Sequence, residues 1–426
     1  MNKPLTIFVH RASECLTDHE SHGDGLICFS LLNGLAERGH TIYAFSNRAP
    51  INNCSERLHV KTDHHRVPAN SLAPWEYSWK ADRWFRELSK TVDFDLVWRM
   101  HPYGAACSAV PATDGLPLVV GPLFYSWPSS QPSALGRPRF GVGLDGIARP
   151  IAMRGWEKTL SRAALIFCAT EAQAAEYAGR YPQAPSRTLP VIVEPPRLEA
   201  RSTRRFDAGS LKVEAAIAGA GLSSLSEAHK SGVMVAEEPS RPLRLMFIAN
   251  LVGYKNPSIF CETIKNLRDL GINAEGVIVG DGPERGSLET YCVQNGIQSA
   301  ITFLGKVANT VVYEHVASAH FLVSASLGEP YGRGIAEAMS VGTPAVCHRS
   351  GGPADFIRHG DDGILVADLT ADAYTQAIAE VISTPDLWTA MSAKAAAKAA
   401  LWTSEAVLAD VESQLVALVR EKRVAG

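Results

Sequence analysis

The chain repeats one pattern, in which a short apolar run is followed by a segment with helical periodicity. Leu5–Val9 is the first such run, and Asp24–Arg38 follows it with Ile27, Leu31 and Leu35 four residues apart. Repeated strand–helix alternation indicates a parallel sheet with helices on both faces. Further strands are predicted at Thr41–Phe45, Leu96–Trp98, Leu118–Val120, Leu165–Cys168 and Val191–Val193, and further helices at Trp79–Leu88, Ile151–Arg162 and Glu171–Ala178.

The pattern stops after residue 195 and restarts at residue 241. Residues 1–195 and 241–404 are therefore two predicted domains, and residues 196–240 are the connection between them. A chain of 426 residues with 46% hydrophobic residues can form two cores. The second domain has predicted strands at Leu243–Ala249, Gly276–Val279, Ile301–Leu304, Phe321–Val323, Ala345–Val346 and Ile364–Val366.

The predicted fold class is α/β, with two doubly wound, Rossmann-like domains that face each other across a cleft. Ligands of open α/β sheets bind outside the carboxyl ends of the strands. We therefore expect the functional site at these ends.

A glycine-rich stretch at residues 326–344 carries two carboxylates, Glu329 and Glu337, with seven residues between them. It joins a predicted strand to a predicted short helix. Gly332 and Gly334 allow backbone N–H groups to point outward at the helix N-terminus, where the partial positive charge suits a diphosphate. Carboxylates beside a phosphate site are suited to accept hydrogen bonds from hydroxyls, such as those of a ribose and a sugar. The combination indicates a nucleotide sugar.

The two glutamates resemble the Glu-x7-Glu motif of the retaining glycosyltransferases of family 4, which have the GT-B fold. Gly342–Pro344 and Gly351–Gly352 follow at the family's spacing. In that fold the last helix crosses back to the first domain, so residues 405–426 are expected to complete it. The alternative interpretation of Glu329 and Glu337 is a surface pair of glutamates on an ordinary strand–turn–helix unit.

The resemblance implies a role for each residue of the stretch. Glu329 holds hydroxyls of the donor sugar, and Glu337 holds those of the ribose. The diphosphate is bound by backbone groups of the loop. The loop residues expected to contact the substrate are Tyr331, Gly332, Arg333 and Gly334.

A second segment, Asn250–Asn256, resembles the family's Gly-Arg-Leu-x-x-x-Lys sequence. The resemblance implies that Lys255 contacts the donor diphosphate, a task suited to a point charge. The family's arginine falls on Asn250, so one cation is missing there. Arg333 is the candidate to replace it. The alternative for Lys255 is a solvated loop lysine.

Two further turns are expected at the nucleotide. Gly280 belongs to a Gly-x-Gly-Pro turn after a predicted strand, which matches the family. Lys306 and Val307 lie in a segment that resembles the one whose backbone contacts the base. Their side chains do not distinguish uridine from guanosine, so the donor is a UDP or a GDP sugar.

In the first domain, Gly23 and Gly25 fall where the family has a glycine pair near the donor phosphates and the acceptor. Their backbone can approach a ligand closely, although Asp24 between them is equally typical of a helix N-cap. His101 follows a predicted strand and resembles the family's histidine that contacts the transferred sugar. The alternative for His101 is a hydrogen bond to loop backbone.

We expect no metal site and no cofactor other than the nucleotide-sugar co-substrate. Asp93 and Asp95 match an Asp-x-Asp metal motif by letters, but they lead into a strand at the end away from the cleft. Residues 18–22 hold two histidines and two acids without a second cluster to complete a metal shell. The eight cysteines show no Cys-x-x-Cys pairing and are predicted to be buried free thiols.

The net charge of −3 gives no overall attraction to nucleic acid or to an anionic membrane. The first residues lack the features of a signal peptide, and no apolar run reaches the roughly 20 residues that span a bilayer. We therefore expect a cytoplasmic protein. The arginine-rich and aromatic segment 124–156 leaves three interpretations open: a covering loop with solvated arginines, a loop that holds a phosphorylated or lipid-linked acceptor, or a weak peripheral contact with the inner membrane face. The oligomeric state is left open.

The predicted activity is metal-independent transfer of a hexose from a nucleoside diphosphate sugar to a hydroxyl acceptor, which is a glycan, a lipid-linked or a small molecule, with retained anomeric configuration. The catalytic candidates are Lys255, Glu329, Arg333 and His101. Two alternatives remain. One is a nucleotide-sugar epimerase or phosphorylase of related fold. The other is a degenerate nucleotide-sugar-binding subunit, which is supported only by the missing arginine at Asn250 and is opposed by the intact glutamate pair.

Overall fold

The computed structural model describes most of both halves of the chain, and it divides into two compact units. The first comprises Met1–Ile192 with Trp402–Gly426, and the second comprises Val193–Leu401. The described residues are 3–12, 16–17, 23–51, 58–65, 76–100, 110–123, 154–194, 242–329, 331–384 and 386–425.

The first unit is built on a sheet of seven parallel strands in the order β3-β2-β1-β4-β5-β6-β7. The strands are β1 (Thr6–Arg11), β2 (Thr41–Ser46), β3 (Lys61–His64), β4 (Leu96–Arg99), β5 (Leu118–Leu123), β6 (Ala163–Cys168) and β7 (Ser186–Thr188). The helices between them are α1 (Gly23–Glu37), α2 (Glu76–Leu88), α3 at residues 154–161 and α4 (Glu171–Arg180).

Alternate residues of the central strands pack into two different cores, because successive side chains of a strand point to opposite faces. Ile7 and Val9 of β1 pack with α1 and with the C-terminal helix Ser404–Ala425. Phe8, between them, packs with α2 on the other face. The C-terminal helix therefore belongs to the first unit.

The second unit has a sheet of six parallel strands in the order β10-β9-β8-β11-β12-β13. They are β8 (Leu243–Ile248), β9 (Ala274–Val279), β10 (Ile301–Gly305), β11 (Phe321–Ser324), β12 (Ala345–His348) and β13 (Ile364–Val366). The helices are α5 (Pro257–Asp269), α6 (Arg285–Gln294), α7 (Asn309–Ser318), α8 (Arg333–Ser340), α9 (Gly351–Phe356), α10 (Ala371–Ser383) and α11 (Leu387–Ala399).

Both sheets reverse their strand order at one point, between β1 and β4 in the first unit and between β8 and β11 in the second. This order is that of the doubly wound Rossmann fold, whose ligands bind at the reversal, outside the carboxyl ends of the strands. The two-domain α/β prediction is confirmed. In the second unit the loops that follow β8 and β11 are brought to the same place.

One predicted strand of the first unit is wrong. Val191–Val193 is not a strand, and the sheet ends instead with Ser186–Thr188, paired with β6. The N–H of Leu189 donates the last ladder bond, to the carbonyl of Cys168. Pro190 follows and has no N–H to continue the ladder, so the apolar run packs against the core without pairing.

The structure also bears on predicted element boundaries, on the cysteines and on membrane-spanning helices. α1 begins at Gly23, one residue before the predicted start, and β3 was not predicted. The connection at residues 196–240 lies outside the described part, as does most of segment 124–156. Five cysteines are buried free thiols, namely Cys28, Cys168, Cys261, Cys292 and Cys347. Within the described residues, no helix is long and apolar enough to cross a membrane.

Candidate functional site

The loops after β8 and β11 are tied together by hydrogen bonds at the reversal of the second sheet. The side-chain amide of Asn256 donates to the carbonyl of Ala325 over 2.8 Å. The N–H of Leu327 donates to the carbonyl of Tyr254 over 2.9 Å. Asn256 adopts a left-handed conformation with φ of 46°, which ends the short 3-10 turn Gly253–Lys255 and starts α5. The turn therefore holds Lys255 beside the loop that carries Glu329.

Lys255 and Glu329 form a close ion pair, with 2.5 Å between Lys255 Nζ and Glu329 Oε2. The side chains are 16% and 21% exposed, respectively. The other carboxylate oxygen, Oε1, accepts the N–H of Gly332 over 3.3 Å, and Ser326 Oγ lies 3.5 Å from Oε2. The carboxylate of Glu329 is thus held by groups of the protein from several directions.

A second ion pair lies one turn apart on α8. Arg333 Nε donates to Glu337 Oε1 over 2.9 Å, and the Glu337 side chain is only 9% exposed. The residues are four apart, so they share one helix face. Tyr313 of α7 is buried nearby. Burial raises the pKa of its phenol, and the carboxylate of Glu337 raises it further.

Two glycines give the Glu329 loop its shape. Gly332 has φ of 68°, a left-handed conformation that lets the chain turn directly into α8. Gly351 has φ of 57°, and a Cβ there would lie 2.3 Å from the carbonyl oxygen of Glu329. The N–H of Gly352 donates to that same oxygen over 2.8 Å. The start of α9 therefore buttresses the backbone of Glu329.

The predicted substrate residues of the second unit fall into two groups. The first surrounds the two ion pairs, and the second lies along the carboxyl edge toward β9 and β10. In the second group Gly280 packs against Ala249, where a Cβ would lie 1.9 Å from the carbonyl oxygen. Asn250 and Lys306 are exposed, and Val307 is half-buried. The first group comprises Lys255, Glu329, Tyr331, Gly332, Arg333, Gly334 and Glu337.

The sequence did not reveal that Glu337 would hold Arg333, or that Lys255 and Asn256 would hold the β11 loop. The spacing of four between Arg333 and Glu337 was a usable signal, because it places opposite charges on one helix face. The contacts made by Asn256 depend on β8 lying beside β11. No local sequence pattern indicates that β8 and β11 are neighbours in the sheet.

The first-unit candidates are described only in part. Gly23 and Gly25 lie in the first turn of α1. His101 lies outside the described residues, so its predicted contact with the transferred sugar stays a prediction. His10, at the end of β1, was missed by the sequence analysis. It is fully buried, its Nε2 lies 3.0 Å from Asp82 Oδ1, and burial lowers the pKa of its imidazole.

The carboxylate of Asp95 has a structural partner on each side. It accepts the N–H of Thr6 over 2.7 Å and contacts Arg423 of the C-terminal helix. It therefore anchors the loop before β4. Across the described residues, no three His, Cys, Asp or Glu side chains are grouped so that they could hold a metal ion.

Sequence comparison finds glycosyltransferases. The family profile described as Glycosyl transferases group 1 matches residues 235–398, and the profile described as Glycosyltransferase Family 4 matches residues 25–194. An uncharacterised glycosyltransferase of Methanocaldococcus jannaschii is 36% identical over 139 residues, which are 33% of this chain and 35% of that protein. The chain therefore spans about a third of the length of this relative.

Solved structures match over the whole chain. A sucrose-phosphate synthase from Thermosynechococcus elongatus aligns with a TM-score of 0.64 at 15% identity and covers 100% of both chains. HepE of Anabaena, in complex with UDP-glucose, aligns with a TM-score of 0.62 at 14% identity and covers 97% of this chain and 100% of that one. Two parallel-sheet units with such neighbours define a protein of the GT-B fold.

The two profiles divide between the two units, the family 4 profile on the first and the group 1 profile on the second. The chain belongs to the glycosyltransferases of family 4.

Proposed function

We propose that the protein transfers a hexose from a UDP or GDP sugar to a hydroxyl acceptor, with retained anomeric configuration and without a metal ion. The observation that carries the proposal is the grouping of two cations and two carboxylates at the strand-order reversal of the second sheet. Cations suit a diphosphate, and carboxylates suit the hydroxyls of a ribose and a sugar. The UDP-glucose complex of the HepE structure supports the same class of donor.

In this reaction the bond between the sugar and the diphosphate breaks, and negative charge develops on the leaving oxygen. Lys255, Arg333 and the N–H groups at the start of α8 stabilise that charge. Glu329 orients the donor sugar through its hydroxyls, and Glu337 orients the ribose. The acceptor hydroxyl attacks from the face that the diphosphate leaves, and the departing phosphate takes its proton.

The family's arginine is replaced by the exposed Asn250. Arg333 supplies the second cation from the first turn of α8, provided that it leaves Glu337 when the donor binds. Glu337 then exchanges a guanidinium for the ribose hydroxyls. Glu337→Gln is therefore expected to raise the KM for the donor or to abolish transfer, and full activity would contradict the ribose assignment.

The test is a panel of UDP and GDP sugars, assayed for release of the nucleoside diphosphate with and without sugar acceptors and with EDTA. We expect one donor to be consumed in EDTA and the product to keep the donor's anomeric configuration by NMR. Lys255→Met is expected to reduce the rate at least about 10²-fold. Lys265→Met is the matched control, because that lysine pairs with Asp269 on the exposed side of α5.

The same panel separates the competing functions. Interconversion of the sugar nucleotide without an acceptor would indicate an epimerase, and a requirement for free phosphate would indicate a phosphorylase. Nucleotide binding without turnover of any donor would indicate a degenerate binding subunit. An inverted anomeric configuration in the product would contradict the retaining mechanism.

A further inference from the structure

The two cations of the site are already neutralised by the two carboxylates. Lys255 is paired with Glu329 at 2.5 Å, and Arg333 is paired with Glu337 at 2.9 Å. The four side chains together carry no net charge. A diphosphate that binds both cations therefore competes with both carboxylates for them.

The two carboxylates have limited access to water that could replace their cations. Glu329 stays tied to the N–H of Gly332 and to Ser326, and its backbone is fixed by Gly352. Glu337 has a side chain only 9% exposed, on a helix whose neighbouring residues are buried. Arg333, at 26% exposure in the first turn of α8, has more room to move. A partly buried carboxylate that loses its partner is costly unless a new donor replaces it.

We propose that the two ion pairs select the intact nucleotide sugar over the products and fragments that share its diphosphate. The inference rests on the proposed function, in which sugar hydroxyls go to Glu329 and ribose hydroxyls go to Glu337. An intact donor supplies phosphate oxygens to both cations and hydroxyls to both carboxylates. A nucleoside diphosphate leaves Glu329 without a new partner, and inorganic pyrophosphate leaves both glutamates without one.

Each glutamate therefore sets the relative affinity of a different pair of ligands. Glu329 weakens the nucleoside diphosphate relative to the nucleotide sugar, which favours release of the product after transfer. Glu337 weakens pyrophosphate relative to the nucleoside diphosphate. If the glutamates only bound hydroxyls of the donor and did not compete with the diphosphate for the cations, neither effect would be expected.

The experiment is calorimetric titration of the full chain with pyrophosphate, UDP, UDP-glucose, GDP and GDP-mannose, without acceptor. In Glu329→Gln, we expect the nucleoside diphosphate to bind about tenfold more tightly while the nucleotide sugar gains nothing. In Glu337→Gln, we expect pyrophosphate to bind about tenfold more tightly, and the affinity for the nucleoside diphosphate to rise by less. Glu380→Gln, an exposed change of the same charge on α10, is expected to alter none of these constants.

A double-mutant cycle shows whether the effect runs through the ion pair. In a Lys255→Met background, Glu329→Gln is expected to lose its effect on the nucleoside diphosphate, because no cation is left to release. Unchanged or weaker binding of the nucleoside diphosphate and pyrophosphate by both Gln variants, with circular dichroism like that of the native protein, would overturn the inference alone. Failure of the native protein to bind any nucleotide sugar would overturn the proposed function as well.

Discussion

Arg333 begins α8 and pairs with a carboxylate of its own helix. The sequence places it in the Glu-x7-Glu loop as a replacement for the arginine missing at Asn250. The structure shows it bonded to Glu337, 2.9 Å away, rather than extended toward a ligand. In the proposed function the diphosphate and Glu337 compete for this guanidinium, so the ribose contact and the charge at the leaving group are linked.

Whether Arg333 replaces the family's arginine can be tested by removing the arginine at residue 333 and placing one at residue 250. Arg333→Ala is expected to lower kcat/KM for the donor about 10²-fold, because a cation at the leaving group is lost. Adding Asn250→Arg to that variant is expected to raise kcat/KM for the donor about tenfold. Residue 250 is exposed and follows β8, at the same sheet edge as the loop that carries Arg333. Steady-state kinetics of the native protein, Arg333→Ala and the double variant measures both effects.

The control is Asn250→Arg in the native background. It should raise kcat/KM far less than it does beside Arg333→Ala, because a third cation adds little where two are present. Equal effects in the two backgrounds would mean that residues 250 and 333 act independently, contrary to the account.

At the scale of elements, apolar strands were predictable from the sequence and polar edge strands were not. All six strands of the second unit fall on predicted runs, within a few residues at each end. Lys61–His64 and Ser186–Thr188 have polar sequences and lie at the two edges of the first sheet, so their pairing leaves no hydrophobic pattern. The glutamates were found from their motif. Their pairing with Lys255 and Arg333 needed the strand order and the start of α8.

The start of α9 is predicted to set the position of Glu329. Gly351→Ala combines a left-handed φ of 57° with a Cβ 2.3 Å from the carbonyl oxygen of Glu329. Gly360→Ala is a matched control, because φ is 79° and nothing lies within 4 Å of its Cβ. We expect Gly351→Ala to cost about 2 kcal/mol more in the free energy of unfolding, measured with urea.

The same variant should also raise the KM for the donor, whereas Gly360→Ala should leave it near the native value. Equal unfolding free energies and equal KM values in the two variants would show that α9 does not buttress the Glu329 loop.

At the scale of the whole molecule, buried histidines make the first unit sensitive to acid. Burial lowers the pKa of His10, which faces Asp82, Arg11 and Arg99, and of His40, which is near Glu412, Arg38 and Asp95. His40 is uncharged where it accepts the N–H of Leu5 over 3.0 Å. The unfolded chain therefore binds more protons than the native state below the ordinary imidazole pKa of 6.5.

The sign of the effect follows from these lowered pKa values. The stability that these two neutral histidines contribute is present above pH 6.5 and is lost as the pH drops below it toward their folded-state pKa values. Urea unfolding should give a lower free energy of unfolding at pH 5.5 than at pH 7.5. His40→Gln, which keeps an acceptor for Leu5, is expected to reduce the loss. An identical loss in that variant would contradict the contribution of His40.

The central claim is that the loops after β8 and β11 bind the donor diphosphate, and its most direct test is calorimetric binding of UDP and GDP to the native protein and to Lys255→Met. We predict that one nucleotide binds the native protein at one site per chain and binds Lys255→Met at least about tenfold more weakly, with Lys265→Met unchanged. Equal affinity in the native protein and Lys255→Met would contradict the claim.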